Sequence, residues 1–368
     1  MIGIYCHHTS RFGRNTGIQR CLRATSRALA ELGEAIVPLV WHPERQGLAL
    51  ANPQALEHLA RWNGPPLEAW TRAVPPPGSW LLVVELLSGP HQPSQAWLRQ
   101  LADRHQWRLA GVFHDAIPLR WGGEAAQYHR HYMQGLAVYD LVLANSRSTA
   151  RDLAAFWQAE GGAARPTARL EALPLAEELP GCERLWPTPP SGQSLRLLCV
   201  GSLEPRKNHR SLLKALAWLV AQGEKAVVLQ LVGWANDAAV VAAVRRAQAL
   251  GLPVHWDGDA DDAALLAHYQ QSDLCVYPSL EEGFGLPVAE SLWLGRPCVC
   301  GATGALAEHG EAGGCVAVDM ARWQALAQVL AGLIQAPQTL QQLNEQLRRR
   351  PLRRWRDYGT AMLALMGA

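Results

Sequence analysis

Pro278-Ser279-Leu280-Glu281-Glu282-Gly283-Phe284-Gly285-Leu286-Pro287-Val288-Ala289-Glu290 follows the apolar run Leu274-Cys275-Val276-Tyr277. The stretch reads as a strand that passes through a glycine turn into a helix. Pro287 suits the first turn of a helix, where its missing N–H is not needed. Val288, Leu292 and Leu294 then mark an apolar helix face. Free N–H groups at a helix start favour an anion. Gly283 and Gly285 let a ligand approach the backbone, because no Cβ intervenes. Glu282 and Glu290 bracket the turn, and carboxylates are natural acceptors for sugar hydroxyls. Together these features suggest a pocket for a phosphate-bearing sugar.

Working outward, strands alternate with helices almost throughout, which predicts an α/β fold with parallel sheets. Strands are expected at 2–5, 35–40, 80–86, 109–113 and 141–144, with helices at 17–32, 94–105 and 148–159. Thr16 stands where a helix cap belongs. Residues 160–194 turn rich in Gly, Pro, Ala and Ser, and Pro187-Thr188-Pro189-Pro190-Ser191-Gly192 marks the best domain boundary. A second α/β unit then begins, with strands at 195–200, 226–232, 255–256, 274–277 and 297–300 and a helix at 208–222. The expected division is a Rossmann-like domain over 1–180, a linker over 181–194, a second Rossmann-like domain over 195–345 and a helix over 346–368 that returns to the first domain. Open parallel sheets bind ligands at the carboxyl ends of their strands.

Hydrophobic residues at 49% and charged residues at 18% describe a globular chain with a real core rather than a disordered one. A formal net charge of +2 favours no particular partner and gives no footprint for nucleic acid. The charge is locally uneven: Arg11, Arg14, Arg20, Arg23 and Arg27 all precede the first acid, Glu31. Arg20, Arg23 and Arg27 share a helix face, read as solvated or as a surface for phosphates and peripheral membrane contact. Arg348, Arg349, Arg350, Arg353 and Arg354 form a second basic run, interrupted by the helix breaker Pro351. The eight cysteines are scattered without a C-x-x-C, which favours reduced packing residues. No leader is visible at Met1-Ile2-Gly3-Ile4-Tyr5 and no apolar run reaches membrane-spanning length, so a cytoplasmic location is expected.

Gly201-Ser202-Leu203-Glu204-Pro205-Arg206-Lys207-Asn208 ends the first strand of the second unit and opens its helix. Arg206 offers a planar fork to phosphate oxygens and Lys207 a point charge. His114 and Asp115 follow the strand Gly111-Val112-Phe113 and are placed to face a ligand.

These segments, in this domain plan, resemble glycosyltransferase family 4, of the GT-B fold. Gly201 to Asn208 is similar to the family's basic diphosphate loop, and Glu282 to Glu290 matches its E-x7-E signature. Phe113 to Leu119 looks like its first-domain histidine segment, and Ala144 to Thr149 like the end of that domain. Thr16-Gly17-Ile18-Gln19-Arg20 resembles the first loop and helix of a bacterial subgroup that builds surface polysaccharides. Glu308 sits where the family has an acid in its next loop. The resemblance implies two domains facing each other across a cleft, with a nucleotide-sugar donor on the second and a saccharide or lipid-linked acceptor on the first. It implies retaining transfer of a hexose without a metal cofactor. Arg206 and Lys207 would take the diphosphate, helped by Gly201. Glu282 and the amides of Gly283, Phe284, Gly285 and Leu286 would hold the sugar. Glu290 would hold the ribose, and His114 would meet the transferred sugar. Gly13, Thr16, Gly17 and Arg20 would lie on the acceptor side. A phosphorylase, an epimerase or a scaffold that only binds nucleotide sugar are the alternatives.

Other sequence features read more plainly. Asp257-Gly258-Asp259 spells a D-x-D but precedes a helix start near Asp261, where acids cap N–H groups. His7 and His8 are neighbours in an extended loop and point apart, so they do not chelate together. Gly283-x-Gly285 lacks the third glycine of a dinucleotide fingerprint, since position 288 is Val. Trp121 and Trp234 are candidates for stacking on a sugar or base.

Overall fold

The computed structural model describes residues 1–87, 89, 91–160, 166–188, 194–224 and 226–367. Of the expected boundary run, Pro189, Pro190, Ser191 and Gly192 lie outside the described residues. The chain forms two compact units. The first comprises Met1–Ala176 with Arg353–Ala368, and the second Glu177–Leu352.

Among the described residues, the first unit carries a seven-stranded sheet. Its strands are β1 (Ile2–Tyr5), β2 (Ile36–His42), β3 (Gly47–Leu50), β4 (Trp80–Val83), β5 (Arg108–Phe113), β6 (Leu141–Ala144) and β7 (Arg169–Ala172). The spatial order is β3-β2-β1-β4-β5-β6-β7, parallel except for β3, which returns antiparallel on β2. Strands buried on both faces read as continuous apolar runs, which is why Trp80–Val83 and Leu141–Ala144 lack polar alternation. The helices Gly17–Glu31 and Trp355–Met366 pack together on this unit. Arg108 and Arg169 each donate to a carbonyl in the last turn of Trp355–Met366, at Met366 and Leu365, both at 3.2 Å.

The second unit carries a six-stranded parallel sheet of β8 (Leu195–Val200), β9 (Val227–Val232), β10 (Val254–Asp257), β11 (Leu274–Tyr277), β12 (Cys298–Gly301) and β13 (Cys315–Val318), in the order β10-β9-β8-β11-β12-β13. Alternate residues serve opposite faces. Leu197, Cys199, Leu274, Val276 and Val299 join one core layer, whereas Leu198, Cys275, Tyr277, Cys298 and Cys300 join the other. All eight cysteines are free thiols, and most are buried.

The basic run near the C-terminus is split: Arg348, Arg349 and Arg354 are exposed, Arg353 is half-buried and Arg350 points inward. Arg350 is buried and donates to the carbonyls of His309 and Gly313 at 2.6 and 2.7 Å. Arg348 donates to the Pro187 carbonyl at 2.5 Å and Arg353 to that of Pro174 at 2.7 Å. The helix Pro337–Arg349 stops before Pro351, and a new helix starts at Trp355. Arg23 is likewise buried, so Arg20, Arg23 and Arg27 are not one solvated stripe. Arg27 pairs with Glu31 at 2.7 Å. No helix among the described residues is long and apolar enough to cross a membrane.

Candidate functional site

In each sheet the strand order reverses once, and the crevice beyond the strand ends at that reversal is the usual ligand site of an open α/β sheet. In the second unit the reversal falls between β8 and β11. The loop after β8 carries Gly201, Arg206 and Lys207, and the loop after β11 carries Glu281, Glu282 and Gly283. Topology therefore brings together two motifs about 75 residues apart in the chain.

The side chains meet on one oxygen. Glu282 Oε1 lies 2.6 Å from Lys207 Nζ and 2.8 Å from Arg206 Nη1. It also accepts from the Tyr277 hydroxyl at 2.9 Å and the Ser279 hydroxyl at 2.5 Å. Lys207 donates to Tyr277 at 2.5 Å and sits 5.0 Å from the centre of that ring. Arg206 reaches Glu204 at 2.8 Å, and Asn236 donates to the other oxygen of Glu204 at 3.0 Å. Two cations are thus balanced by two carboxylates at the mouth of the switch point. Burial alone would push the Glu282 carboxyl up. The Lys207 ammonium and the Arg206 guanidinium more than offset that and hold it at about 2. Burial opposes the charge on Arg206, but Glu282 beside it raises that group's pKa overall.

The backbone supports this cluster. Asn208, in the left-handed region at φ 57°, donates to the carbonyls of Pro278 and Met320 at 3.2 and 2.8 Å. Those bonds tie the basic loop to the chain just after β11 and β13. Gly233 closes in from β9, where a Cβ would stand 2.2 Å from the Gly201 carbonyl oxygen. Gly285 precedes the helix Leu286–Trp293 at φ 94°, and no side chain caps that helix. Phe284 is buried, and its carbonyl accepts from His309 Nε2 at 2.8 Å. Glu290 is only 2% exposed, with the Tyr269 hydroxyl 3.5 Å from its carboxylate.

The first unit repeats the arrangement with different chemistry. Its strand order reverses between β1 and β4, with β5 next to β4. His114 follows β5, is buried, and donates through Nε2 to the Val84 carbonyl at 2.7 Å. Burial lowers its pKa. The imidazole is therefore neutral, and its Nδ1 is left as an acceptor. After β1, the segment 6–12 folds into a tight turn, with Ser10 N bonded to Cys6 O at 2.9 Å and Phe12 N to His8 O at 3.0 Å. Gly13 and Gly17 are exposed, and Arg20 is half-buried. Thr16 occupies the cap position of Gly17–Glu31, but its hydroxyl donates to the Gln19 side chain and caps no backbone N–H.

Asp257 of the D-x-D lies 2.9 Å from His268, and Asp261 accepts the Ala264 amide at 2.8 Å as a helix cap. Among the described residues, no cluster of three or more His, Cys, Asp or Glu is arranged to hold a metal. Trp121 is 53% exposed, and Trp234 is half-buried. Sequence reasoning missed Tyr277, Ser279, Asn208 and His309. Tyr277 and Ser279 left a signal, since both stand at the carboxyl end of a strand that enters the motif. His309 left none, because it arrives from a separate helix.

Residues 194–336 match the glycosyl transferases group 1 family. The chain is 28% identical over 213 residues to the serotype-specific mannosyltransferase WbdA of Escherichia coli, covering 53% of this chain and 25% of that protein. It is 37% identical over 120 residues to the O-antigen chain mannosyltransferase B of Escherichia coli, covering 32% and 31%. The chain thus spans about a quarter of the first of these relatives, whose match covers 25% of its length. The crystal structure of Anabaena HepE in complex with UDP and glucose superposes with a TM-score of 0.68 at 17% identity, covering 100% of this chain and 99% of that one. The fold is GT-B.

Proposed function

We propose that this chain, whose second unit carries a group 1 glycosyl transferase domain, moves a hexose from a nucleotide-diphosphate sugar to a saccharide or lipid-linked saccharide in surface-polysaccharide synthesis. The observation that carries the reading is the convergence of Arg206 and Lys207 at the β8–β11 switch point. A diphosphate entering there exchanges the Glu282 carboxylate for its own oxygens on the two cations. Those cations then neutralise the charge that develops on the leaving group. Released from part of that pairing, Glu282 turns to the sugar hydroxyls, beside the amides of Gly283 to Leu286. Glu290 holds the ribose. On the first unit, neutral His114 accepts a hydroxyl of the transferred sugar through Nδ1. Retention follows if the leaving phosphate takes the acceptor proton on the face it departs from, a step that rests on positioning. Because Arg206 and Lys207 supply the positive charge, we expect transfer to proceed with a chelator present.

The curated relatives named above are mannosyltransferases, which makes a mannosyl donor the first to try. The test is a thermal-shift panel of UDP, GDP, ADP, CMP and dTDP with and without magnesium, on the wild type and Lys207→Ala. A ligand that binds only the folded state raises its melting temperature. One diphosphate is expected to stabilise the wild type irrespective of magnesium. In Lys207→Ala its affinity is expected to fall by roughly 10–100-fold, the value of one charge-assisted hydrogen bond. Equal shifts in the two proteins would remove Lys207 from the donor site.

A further inference from the structure

Glu85 follows β4 at the strand-order reversal of the first unit, inside the otherwise apolar run Trp80–Leu87. It is 2% exposed. Its two oxygens take two consecutive amides from the segment after β1: Oε2 accepts His8 N–H at 2.8 Å and Oε1 accepts Thr9 N–H at 2.5 Å. Buried Arg23 holds the other side of the same segment, donating to the Thr9 carbonyl at 3.2 Å and to Asn15 at 2.9 Å. The Thr9 residue is therefore caught between a buried anion and a buried cation. The next residues are tied onto that anchor. The His8 ring stacks on Phe12 at 4.6 Å, Gln19 contacts His8 Nδ1 at 3.0 Å, and His58 bonds the Phe12 carbonyl at 2.7 Å.

A carboxylate in this position works against stability. The titratable and charged groups that face it are Tyr5 and Cys6 at the end of β1 and Arg23 on the helix Gly17–Glu31, while Arg11 in the loop acts on Tyr5 and Cys6. Burial raises both Tyr5 and Cys6, so neither adds a charge near neutrality. Burial likewise pushes the Glu85 carboxyl up to about 7, despite the two amides and the field of Arg23. An apolar side chain would fill the site at less cost but could not bind the two amides.

We propose that Glu85 is a positioning residue for the acceptor: by clasping the His8 and Thr9 amides across the β1–β4 crevice, its carboxylate sets the loop on which Gly13 and Thr16 meet the saccharide. This rests on the reading that the first unit takes the acceptor. The ionised carboxylate accepts both amides strongly and the protonated form accepts them weakly. Acceptor capture therefore rises with pH through the range in which Glu85 ionises.

The test is Glu85→Gln in the full chain, since the amide keeps the shape but presents an NH2 that cannot accept from an N–H. Three quantities are read: kcat/KM for a saccharide acceptor against pH, the thermal shift with the donor's nucleoside diphosphate, and hydrogen exchange of the His8 and Thr9 amides. In the variant, acceptor kcat/KM at pH 8 is expected to fall about tenfold or more, as for loss of a charge-assisted bond. The nucleotide shift is expected to stay as in the wild type. The wild type shows an acid limb that the variant lacks, and the two amides exchange faster in the variant. Wild-type acceptor kinetics and pH profile in Glu85→Gln, or unchanged exchange, would overturn the proposal. A wild type that binds nucleotide yet transfers to no saccharide would instead sink the acceptor reading, and the proposal with it.

Discussion

Glu282 shows how much one residue's neighbours decide. As a lone glutamate in a glycine turn it reads as a reader of hydroxyls. In the fold, a single oxygen of its carboxylate receives Arg206, Lys207, Tyr277 and Ser279. Its carboxyl is held at about 2 from an ordinary value of 4.5, with its side chain 11% exposed. A depressed carboxyl stabilises the fold above its unfolded pKa, and that contribution is lost as pH falls through the folded value. A shift of this size corresponds to about 3 kcal/mol. Between pH 5 and pH 2 the wild type is therefore expected to lose stability that Glu282→Gln never had, which urea unfolding at each pH measures. Parallel curves for the two proteins would mean that the cluster does not charge as described. The sequence singled out Arg206, Lys207 and Glu282, because each stands in a loop that follows an apolar strand. It could not show that they pair, since pairing depends on β8 and β11 being neighbours.

At the scale of elements, the strand–turn–helix over 274–293 was legible because each local preference agrees. Pro287 falls in the first turn, Val288 and Leu292 are fully buried, and Gly285 takes a left-handed φ of 94°. A Cβ at Gly285 would also stand 2.6 Å from Leu306 Cδ2 on the helix Gly304–Gly310. Gly285→Ala is thus expected to cost about 1–3 kcal/mol of stability through backbone strain. It should also weaken nucleotide-sugar binding more than nucleotide binding, because the displaced amides lie in the motif's turn. Calorimetric titration of both ligands checks this, and equal loss for the two would place the sugar elsewhere. The arginine runs were less legible. Spacing put Arg20, Arg23 and Arg27 on one face, yet Arg23 is buried against carbonyls and Asn15. A long guanidinium can satisfy several backbone oxygens inside the protein, as Arg350 does for His309 and Gly313. Charge patterning alone does not separate that use from a solvated face.

Across the whole molecule, the alternation of strand and helix sufficed to indicate two parallel α/β sheets. Apolar strands such as Trp80–Val83 and Leu274–Tyr277 stand out because they are covered on both faces. The edge strands β3, β7 and β13 were not found. Their residues are largely half-exposed, and the short stretches Gly47–Leu50 and Arg169–Ala172 carry no buried run to mark them. Sheet order, which places Glu85 opposite His8 and Lys207 opposite Glu282, is a property of the assembled fold and has no local sequence signal. The central claim is that the β8–β11 switch point holds a nucleotide sugar whose hexose is passed to a saccharide. The most direct measurement is the rate at which nucleoside diphosphate is released from nucleotide-hexose donors, GDP-mannose first, with and without a saccharide acceptor. The account predicts acceptor-dependent release, with a glycosylated product in equal amount, persisting in chelator and lost in Lys207→Ala. Release that ignores the acceptor, or that survives Lys207→Ala unchanged, would contradict it.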